Sequence, residues 1–315
     1  MRRDIRIINM AVGDEFEGFY ILKMAQNKLS NNGKPYLNAT ISDCTGDMDA
    51  KVWDYPGPLG PKEEGKVVKL RGTVSEYRGS LQATVERIRL ADENDEYELR
   101  TLVPVAPMDA EAGYQELLDL VASIEDQDYR DVTEALLERH GETLRNMPAA
   151  KSVHRSFLNG LLMLTLNMMR QADFLAKLYA GIVDRSLLLA GTCLHDLGKE
   201  WEFEYSELGL VTEYSTPGQL LGHLAMGAQE VSDAARGLGI PEEKGLLLQH
   251  MLLSHHGEPE FGAAVRPMCA EAELLSLIDK IDSRMEIYKE SLDNVEPGQF
   301  SGRIFALEKR IYKHQ

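Results

Sequence analysis

The hydrophobic pattern of this 315-residue chain changes its period once, near residue 100. Residues 1–95 contain segments in which apolar and polar side chains alternate at a period near two, which is typical of β-strands. Beyond residue 108 the apolar residues recur at helical spacing instead. This change of period predicts two domains, one built of strands and the other of helices.

The first part of the chain has the pattern of a small β-barrel. Glycine-containing turns separate its strand segments, all of which fit within residues 1–95. We expect strands at residues 17–22, 36–41, 48–53, 67–74 and 81–88. The OB-fold is the commonest barrel with five strands, so residues 1–95 are predicted to form an OB-like nucleic-acid-binding domain.

The second part is predicted to be entirely helical. Residues 96–108 contain Pro104 and Pro107, which favour extended backbone and indicate a linker. Residues 109–315 then form an all-α domain, with helices expected near 151–179, 184–196, 218–238, 241–256, 269–291 and 300–312. The predicted fold class is therefore multidomain α+β, a five-stranded OB-like barrel followed by a helical bundle.

Charge is distributed unevenly between these two parts. The net charge of −17 combines 14 basic and 15 acidic residues in 1–95 with 20 basic and 36 acidic residues in 96–315. The nearly neutral first part leaves room for a local basic groove. The acidic second part repels a polyanion unless something offsets its charge, and bound divalent cations are one such offset.

Compartment and membrane association follow from simple counts. The three cysteines, Cys44, Cys193 and Cys269, are scattered and include no CxxC pair. This pattern argues against a disulfide framework and favours a reducing cytoplasm. No apolar run approaches the ~18 residues of a membrane span, and no signal-peptide pattern follows the basic N-terminus, so we expect no membrane partner.

Histidines concentrate where the chain is predicted to be helical. Six of the eight lie between residues 154 and 256, and an apolar helix leads directly into the pair His195–Asp196. Further along the chain are His223, His250, His255, His256, Asp279 and Asp282. A single helical histidine is usually structural or solvated, which fits His140 and His314. The repeated combination of imidazole and carboxylate instead favours a site for Mn, Fe, Co, Ni, Zn or Mg.

These motifs resemble a known family. The segments concerned are residues 148–157, 190–199, 218–223, 253–257 and 278–285, together with 34–46 and 50–54 in the first domain. They look like the YhaM family of bacterial 3′-to-5′ exoribonucleases, which combine an N-terminal OB-type domain with an HD-type metal-dependent phosphohydrolase domain. The resemblance covers nearly the whole chain.

The resemblance implies an activity and a set of site residues. The activity is hydrolysis of phosphodiester bonds in single-stranded RNA, with single-stranded DNA left open, by an assembly of several copies. A divalent cation is implied, Mn before Co, Fe, Ni, Zn or Mg. The implied metal ligands are His195, Asp196, His223, His255, His256 and Asp279. The implied catalytic residues are His195, Asp196, Lys199 and His154.

The chain departs from the family pattern at two positions. Val153 and Leu164 stand where the family has histidines, and the second of these is a metal ligand in HD enzymes. Loss of one ligand should weaken metal binding, because coordination number sets affinity. Two alternatives therefore remain open. One is a nucleic-acid-binding protein with a degenerate metal site, and the other is a phosphohydrolase for small nucleotides, which the barrel disfavours.

The barrel should carry aromatic platforms beside cations if it binds a single strand. The predicted nucleic-acid-binding residues are Tyr36, Lys51, Trp53, Arg71 and Arg78. Tyr20, Tyr77, Lys23 and Lys28 are further candidates of the same two types.

Overall fold

A computed structural model of the chain describes residues 2–3, 5–30, 32–150, 157–206, 208–293 and 295–315. The chain divides into two compact units. The barrel unit comprises Met1–Val105 with Tyr205–Leu210, and the helical unit comprises Ala106–Glu204 with Val211–Gln315. Across the described residues, no helix combines the length and the apolar character that crossing a membrane requires.

The barrel unit is a closed five-stranded barrel with one short added strand. Its strands are β1 (Arg2–Arg3), β2 (Glu15–Leu29), β3 (Pro35–Asp43), β4 (Gly46–Trp53), β5 (Val67–Tyr77) and β6 (Ser80–Leu90). The ring runs β2-β3-β4-β6-β5 and closes because β5 pairs with β2. Only β4–β6 is parallel within this ring, and β1 adds to β2. The predicted OB-like barrel is confirmed, and β1 is the strand that the sequence pattern did not indicate.

Closure depends on the length of β2. Residues 15–21 of β2 pair with β5 and residues 21–29 pair with β3, with a register shift between Leu22 and Met24. Such an irregularity bends a strand, so that one strand serves both neighbours. The inward-facing residues then form a single apolar core that includes Phe16, Leu22, Leu37, Ile41, Val68 and Leu70.

The helical unit and the segment that leads into it contain nine α-helices in the described residues. They are α1 (Leu99–Leu102), α2 (Ala110–Ala122), α3 (Gln127–Asn146), α4 (Gly160–Leu178), α5 (Arg185–Leu194), α6 (Lys199–Glu202), α7 (Thr216–Leu238), α8 (Glu242–Ser254) and α9 (Ala270–Asp293). α1 lies inside the segment predicted as a linker, 96–108, and belongs to the barrel unit. The helix expected over 151–179 begins at Gly160, because residues 157–159 are not helical and Asn159 is the N-cap with φ 61°; residues 151–156 lie outside the described part of the chain.

Two segments differ from the all-helical expectation. Strands β7 (Phe203–Tyr205) and β8 (Val211–Tyr214) pair as a hairpin after α6. They are too short to show a clear period of two. Residues 300–312 form bridges between Phe300 and Tyr312 and between Ile304 and Lys309 instead of an α-helix. Within this segment Phe305–Leu307 form one turn of 3₁₀ helix, and Leu307 and Ile311 are buried against Ile287 of α9.

Helix α5 is buried on all sides. Every residue from Ser186 to Leu194 is buried, and α5 packs against α3, α4, α8 and α9. The fit is close at Gly191, where an added Cβ would lie 2.6 Å from Cε of Met251. A helix without a solvent-facing side belongs to the centre of a fold. Its C-terminal end, where His195 follows, is therefore in the interior.

An aspartate at the start of α3 links that helix to α8. Asp126 is the N-cap, accepting hydrogen bonds from the backbone N–H of Asp128 and Tyr129. Lys244 of α8 donates to both oxygens of Asp126, at 2.8 and 2.6 Å. Burial raises the pKa of Asp126, but the hydrogen bond and charge of Lys244 and the backbone N–H groups of Tyr129 and Asp128 together outweigh burial, so the pKa is lowered. This stabilisation is present above the unfolded-state pKa of about 3.9 and is lost as the pH falls through the lowered value.

We therefore expect Asp126→Asn and Asp126→Ala to differ. Asn is also a good N-cap, so Asp126→Asn should cost less than ~1 kcal/mol at pH 7, while Asp126→Ala should cost a further ~1 kcal/mol. The cost of Asp126→Asn should shrink as the pH falls below about 4. Urea unfolding followed by circular dichroism measures both effects.

The matched control is Asp109→Asn, because Asp109 caps α2 through the N–H groups of Glu111 and Ala112 without an ion pair to any described residue. A pH-independent cost for Asp126→Asn, equal to that of the control, would contradict the role given to Lys244.

Candidate functional site

Two histidines end two helices in the same way. His195 is the C-cap of α5 and His255 is the C-cap of α8. Nδ1 of His195 lies 2.8 Å from the carbonyl oxygen of Thr192, and Nδ1 of His255 lies 2.9 Å from that of Leu252. The last carbonyls of a helix lack intrahelical partners, and a carbonyl oxygen only accepts. Each Nδ1 therefore carries the hydrogen, and each Nε2 keeps its lone pair.

A break in α7 places a third imidazole. Gly222 has φ 72° and ψ 161°, a left-handed conformation that favours glycine and interrupts the helix. The next residue, His223, donates both its backbone N–H (3.2 Å) and its Nδ1 hydrogen (2.9 Å) to Oε1 of Glu202. Glu202 is buried, and its carboxylate both caps the second segment of α7 and orients the ring of His223. As in the other two rings, Nε2 keeps its lone pair.

The carboxylate of Asp196 is the centre on which these groups converge. The Asp196 side chain is only 5% exposed, and His195 is fully buried. Its oxygens lie 2.7 Å from Nζ of Lys199, 3.3 Å from Nε2 of His195, 3.5 Å from Nε2 of His223 and 3.8 Å from Nε2 of His255. Two groups of residues could each hold a metal ion, His195–Asp196–His255 and His223–His255–His256. Within each group the possible ligand atoms lie within 4.8 Å of one another.

Several buried polar atoms of this cluster have no hydrogen-bond partner among the described residues. They are His195 Nε2, Asp196 Oδ1, His223 Nε2 and His256 Nδ1. The Nε2 atoms of His195 and His223 are near Asp196, but not in hydrogen-bond geometry. Leaving buried lone pairs without partners is costly. A divalent cation would give them a partner, so the donor set fits a metal site with mixed nitrogen and oxygen ligands.

The electrostatics keep His255, His256 and Asp196 in their metal-binding forms. Burial lowers the pKa of His195, but the charge of Asp196 and the other groups around it raise that pKa overall. Burial lowers the pKa of His255 well below its usual value and that of His256 to about 4. Burial raises the pKa of Asp196, but Lys199 and His195 outweigh it and hold that pKa well below its usual range. Neutral imidazoles and an ionised carboxylate are the forms that coordinate metals. The negative ends of α5 and α8 also face this region and favour a cation.

Asp279 lies beside the cluster on α9. Burial raises its pKa to about 6, and the charges of His195, Asp196 and Lys199 also act on it. Its carboxylate is not part of either close ligand group. The structure thus brings together His195, Asp196, Lys199, His223, His255 and His256, with Asp279 next to them.

Two further histidines, His140 and His250, lie outside these ligand groups and have partners of their own. His154 and Val153 lie outside the described residues. Leu164 is a buried residue of α4 that offers no ligand atom. His140 lies between Glu200 (2.7 Å) and Glu230 (3.4 Å), and Nε2 of His250 accepts from the N–H of Met268 at 2.9 Å. Glu202 is the residue that the sequence analysis missed. The feature of the sequence that points to Glu202 is its position three residues after Lys199.

The barrel unit carries a second candidate surface. Tyr36 of β3 lies opposite Trp53 of β4, with ring centroids 4.9 Å apart. Nζ of Lys51 lies 5.6 Å from the Trp53 ring and 5.3 Å from that of Tyr77, over which the Arg78 guanidinium also lies at 5.3 Å. We call these five residues the aromatic face. Trp53 and Tyr77 are half exposed, at 50% and 53%.

The other predicted barrel residues lie apart from this face. Arg71 is on β5 and pairs with Glu86 at 3.3 Å. Tyr20 is buried and donates its hydroxyl hydrogen to the carbonyl oxygen of Ile5, so its role as a platform is excluded. Tyr77 joins the aromatic face because Arg78 and Gly79 both have positive φ, 53° and 84°, as a tight hairpin turn requires.

The position of Glu202 generates a prediction about metal affinity. Glu202→Ala removes the group that orients His223, so the affinity for Mn²⁺ should fall by about 10- to 100-fold. Glu202→Gln should fall between wild type and alanine, because its amide oxygen still accepts hydrogen bonds. Isothermal titration with Mn²⁺ measures the affinity, and circular dichroism checks the fold.

Glu204→Ala is the control, since Glu204 is a nearby exposed residue of β7. A folded Glu202→Ala protein with wild-type Mn²⁺ affinity would show that His223 needs no such orientation.

Comparison with known proteins agrees with this geometry. A sequence model of the HD domain matches residues 164–284. A 3′-5′ exoribonuclease YhaM of Geobacillus sp. (strain WCH70) is 36% identical over 312 residues, which cover 97% of this chain and 94% of the relative.

Solved structures show weaker likenesses. The second OB-fold domain of replication protein A from Methanococcus maripaludis is 14% identical, with a TM-score of 0.23, over 31% of this chain and 100% of its own. An OB domain from Thermoplasma acidophilum is 16% identical, with a TM-score of 0.25, over 31% of this chain and 92% of its own. The barrel assignment rests on the strand order, and the family assignment on the relative that matches almost end to end. The chain belongs to the YhaM family of 3′-5′ exoribonucleases.

Proposed function

We propose that this protein is a metal-dependent 3′-to-5′ exoribonuclease whose helical unit hydrolyses phosphodiester bonds of single-stranded nucleic acid. Family membership supports the reaction. The observation that carries the proposal is the set of buried lone pairs around Asp196 that have no partner among the described residues. A site built only for packing would not leave these atoms unsatisfied.

The site residues have separate roles in this proposal. His195, Asp196 and Asp279 hold a cation, and His223, His255 and His256 hold a second ion or stabilise charge on the phosphate. A divalent cation supplies Lewis acidity toward water and the phosphate oxygens. Mn²⁺ is the first candidate, in keeping with the family.

The chain's own residues hold the carboxylate and the substrate charge. Lys199 keeps Asp196 ionised and in place through its 2.7 Å ion pair, and its ammonium offsets negative charge when a phosphate enters. His154 stays a predicted contact to the substrate phosphate. In the reaction a water oxygen becomes bonded to phosphorus as the bond from phosphorus to the 3′-oxygen of the preceding nucleotide breaks. The water loses a proton, the 3′-oxygen takes one up, and the terminal nucleotide leaves as a 5′-monophosphate.

The barrel unit holds the strand in this proposal. Bases stack on Tyr36, Trp53 and Tyr77, and Lys51 and Arg78 offset the phosphates. Arg71 stays a predicted contact. Residues 1–95 are then the nucleic-acid-binding domain, 96–108 the linker and 109–315 the phosphohydrolase domain. We also propose RNA over DNA, a cytoplasmic location and an assembly of several copies, as the family resemblance and the cysteine pattern suggest.

Leu164 favours the alternative of a nucleic-acid-binding protein with a degenerate metal site, because one ligand of the family pattern is missing. Metal content and hydrolysis decide between the two. After loading with Mn²⁺ and desalting, we expect at least about one ion per chain, and a ladder of shortened products from 5′-labelled single-stranded RNA. A metal-free protein that leaves the RNA intact would establish the alternative.

Asp196→Ala should abolish the ladder while leaving RNA affinity within about twofold of wild type, because the barrel unit provides most of the binding. Gel analysis measures hydrolysis, and fluorescence anisotropy measures affinity. Asp233→Ala is the control, since Asp233 is a half-exposed carboxylate on α7 that pairs with Arg236. Hydrolysis that survives in Asp196→Ala would show that the site lies elsewhere.

The aromatic face generates a separate prediction about binding. Trp53→Ala should weaken RNA binding by ~1–3 kcal/mol through lost stacking. Lys51→Gln should reduce the slope of log Kd against log salt concentration by about 0.7, through one lost phosphate contact. Anisotropy of 5′-fluorescein RNA in EDTA measures both without hydrolysis. The control is Lys62→Gln, an exposed lysine outside the aromatic face, and equal effects of control and test variants would refute the assignment.

A further inference from the structure

A cleft in the helical unit leads away from the candidate metal site. It has a volume of about 410 Å³ and runs between the segment that follows His256 and one side of α9. Its lining includes His256 and Asp279, which belong to the candidate site, and then Phe261, Lys280 and Arg284. We call it the α9 cleft. Because it begins at two site residues, whatever occupies it lies next to the reacting phosphate.

The walls of the α9 cleft are held by close contacts. Gly257, with φ 79°, packs on α9 so tightly that an added Cβ would lie 2.6 Å from Oγ of Ser276. Farther along, Glu258 pairs with Arg266 at 2.8 Å. The segment between Glu258 and Arg266 therefore has a defined path, and the side chain of Phe261 within it is 67% exposed.

Two cations on α9 line this cleft. Lys280 and Arg284 are four residues apart and so lie on the same side of the helix. Both are exposed, and neither forms an ion pair with a residue that the structure describes. Nζ of Lys280 lies 5.9 Å from the centroid of the Phe261 ring.

These two cations lie in the acidic part of the chain. Residues 96–315 contain 36 acidic and 20 basic residues, yet no described carboxylate pairs with either of these two cations. Of the carboxylates that line the cleft, Glu258 is engaged by Arg266, Asp279 belongs to the candidate site, and Glu273 remains. Neighbouring like charges repel each other unless an anion lies between them. An anionic ligand with an apolar ring matches this combination of two cations and an exposed phenylalanine.

Building on the proposed nuclease function, we propose that the α9 cleft is the subsite for the 3′-terminal nucleotides of the strand. Lys280 and Arg284 bind successive backbone phosphates, and Phe261 stacks on a base. Four residues of helix span ~6 Å, which suits adjacent phosphates of an extended strand. The volume lies in the ~300–1,000 Å³ range of small-ligand sites, so it suits one or two nucleotides.

Kinetics on two substrates test the subsite. Single-stranded RNA occupies the cleft, whereas bis(p-nitrophenyl) phosphate has one phosphate and no base. For Lys280→Gln and Arg284→Gln we expect kcat/KM on RNA to fall at least about tenfold further than on the small diester, mainly through KM. Lys280→Arg and Arg284→Lys should recover most of the loss, because they retain the charge. Equal losses on both substrates, or no rescue, would overturn the proposal.

Binding of the trinucleotide UpUpU, which has two backbone phosphates, in EDTA provides a readout without hydrolysis. Each glutamine variant should reduce the slope of log Kd against log salt concentration by about 0.7. Phe261→Ala should weaken binding by about tenfold without changing that slope. Lys289→Gln is the control, because Lys289 is on the same helix and pairs with Glu286 at 3.2 Å. Unchanged affinity and slope in all three test variants would exclude the cleft as the subsite.

The two proposals fail in different ways. If Mn²⁺-loaded wild type hydrolyses neither substrate, the nuclease function is wrong, and the proposed subsite for 3′ ends falls with it. If wild type shortens RNA while the Lys280 and Arg284 variants behave like Lys289→Gln, the function stands and the subsite is wrong.

Discussion

The buried carboxylate of Asp196 is the constraint on which the helical unit depends. An ionised carboxylate in a protein interior costs several kcal/mol unless charges and hydrogen bonds compensate it. Lys199 supplies one positive charge at 2.7 Å. The Nε2 lone pairs of His223 and His255 do not neutralise an anion. The remaining demand for positive charge, together with the unsatisfied nitrogen atoms, is what a divalent cation fulfils.

Local hydrogen bonding, more than packing, prepares the imidazoles. His195 and His255 each use Nδ1 to satisfy a carbonyl three residues earlier, at the end of a helix. His223 uses a carboxylate for the same purpose, after a glycine has interrupted its helix. In all three rings the partner of Nδ1 determines which nitrogen is left for a ligand. The same arrangement, in which Nδ1 is hydrogen-bonded and Nε2 is left for a ligand, thus occurs at the ends of two helices and at the start of one helical segment.

The parts of this architecture that were predictable from sequence are those encoded by short, continuous segments of the chain. Strands β2 to β6 alternate locally, and His195–Asp196 and His255–His256 are adjacent pairs at the ends of apolar helices. Glu202 was not predictable, because its partner is brought to it by the break at Gly222, twenty residues away. The α-helix expected at 300–312 was wrong for a related reason, because Leu307 and Ile311 are buried against α9 from a segment made of two bridges and one 3₁₀ turn. The contact of Tyr77 with Lys51 and Arg78 depends on the turn geometry, which the strand pattern does not show.

The double pairing of β2 has a consequence for how the barrel unit unfolds. Its first half is hydrogen-bonded to β5 and its second half to β3, so this strand closes the ring from both directions. Fraying of either half removes a seam and exposes the common core to water. The barrel therefore has no subset of strands that melts independently, and its backbone amides should exchange with solvent through one concerted opening.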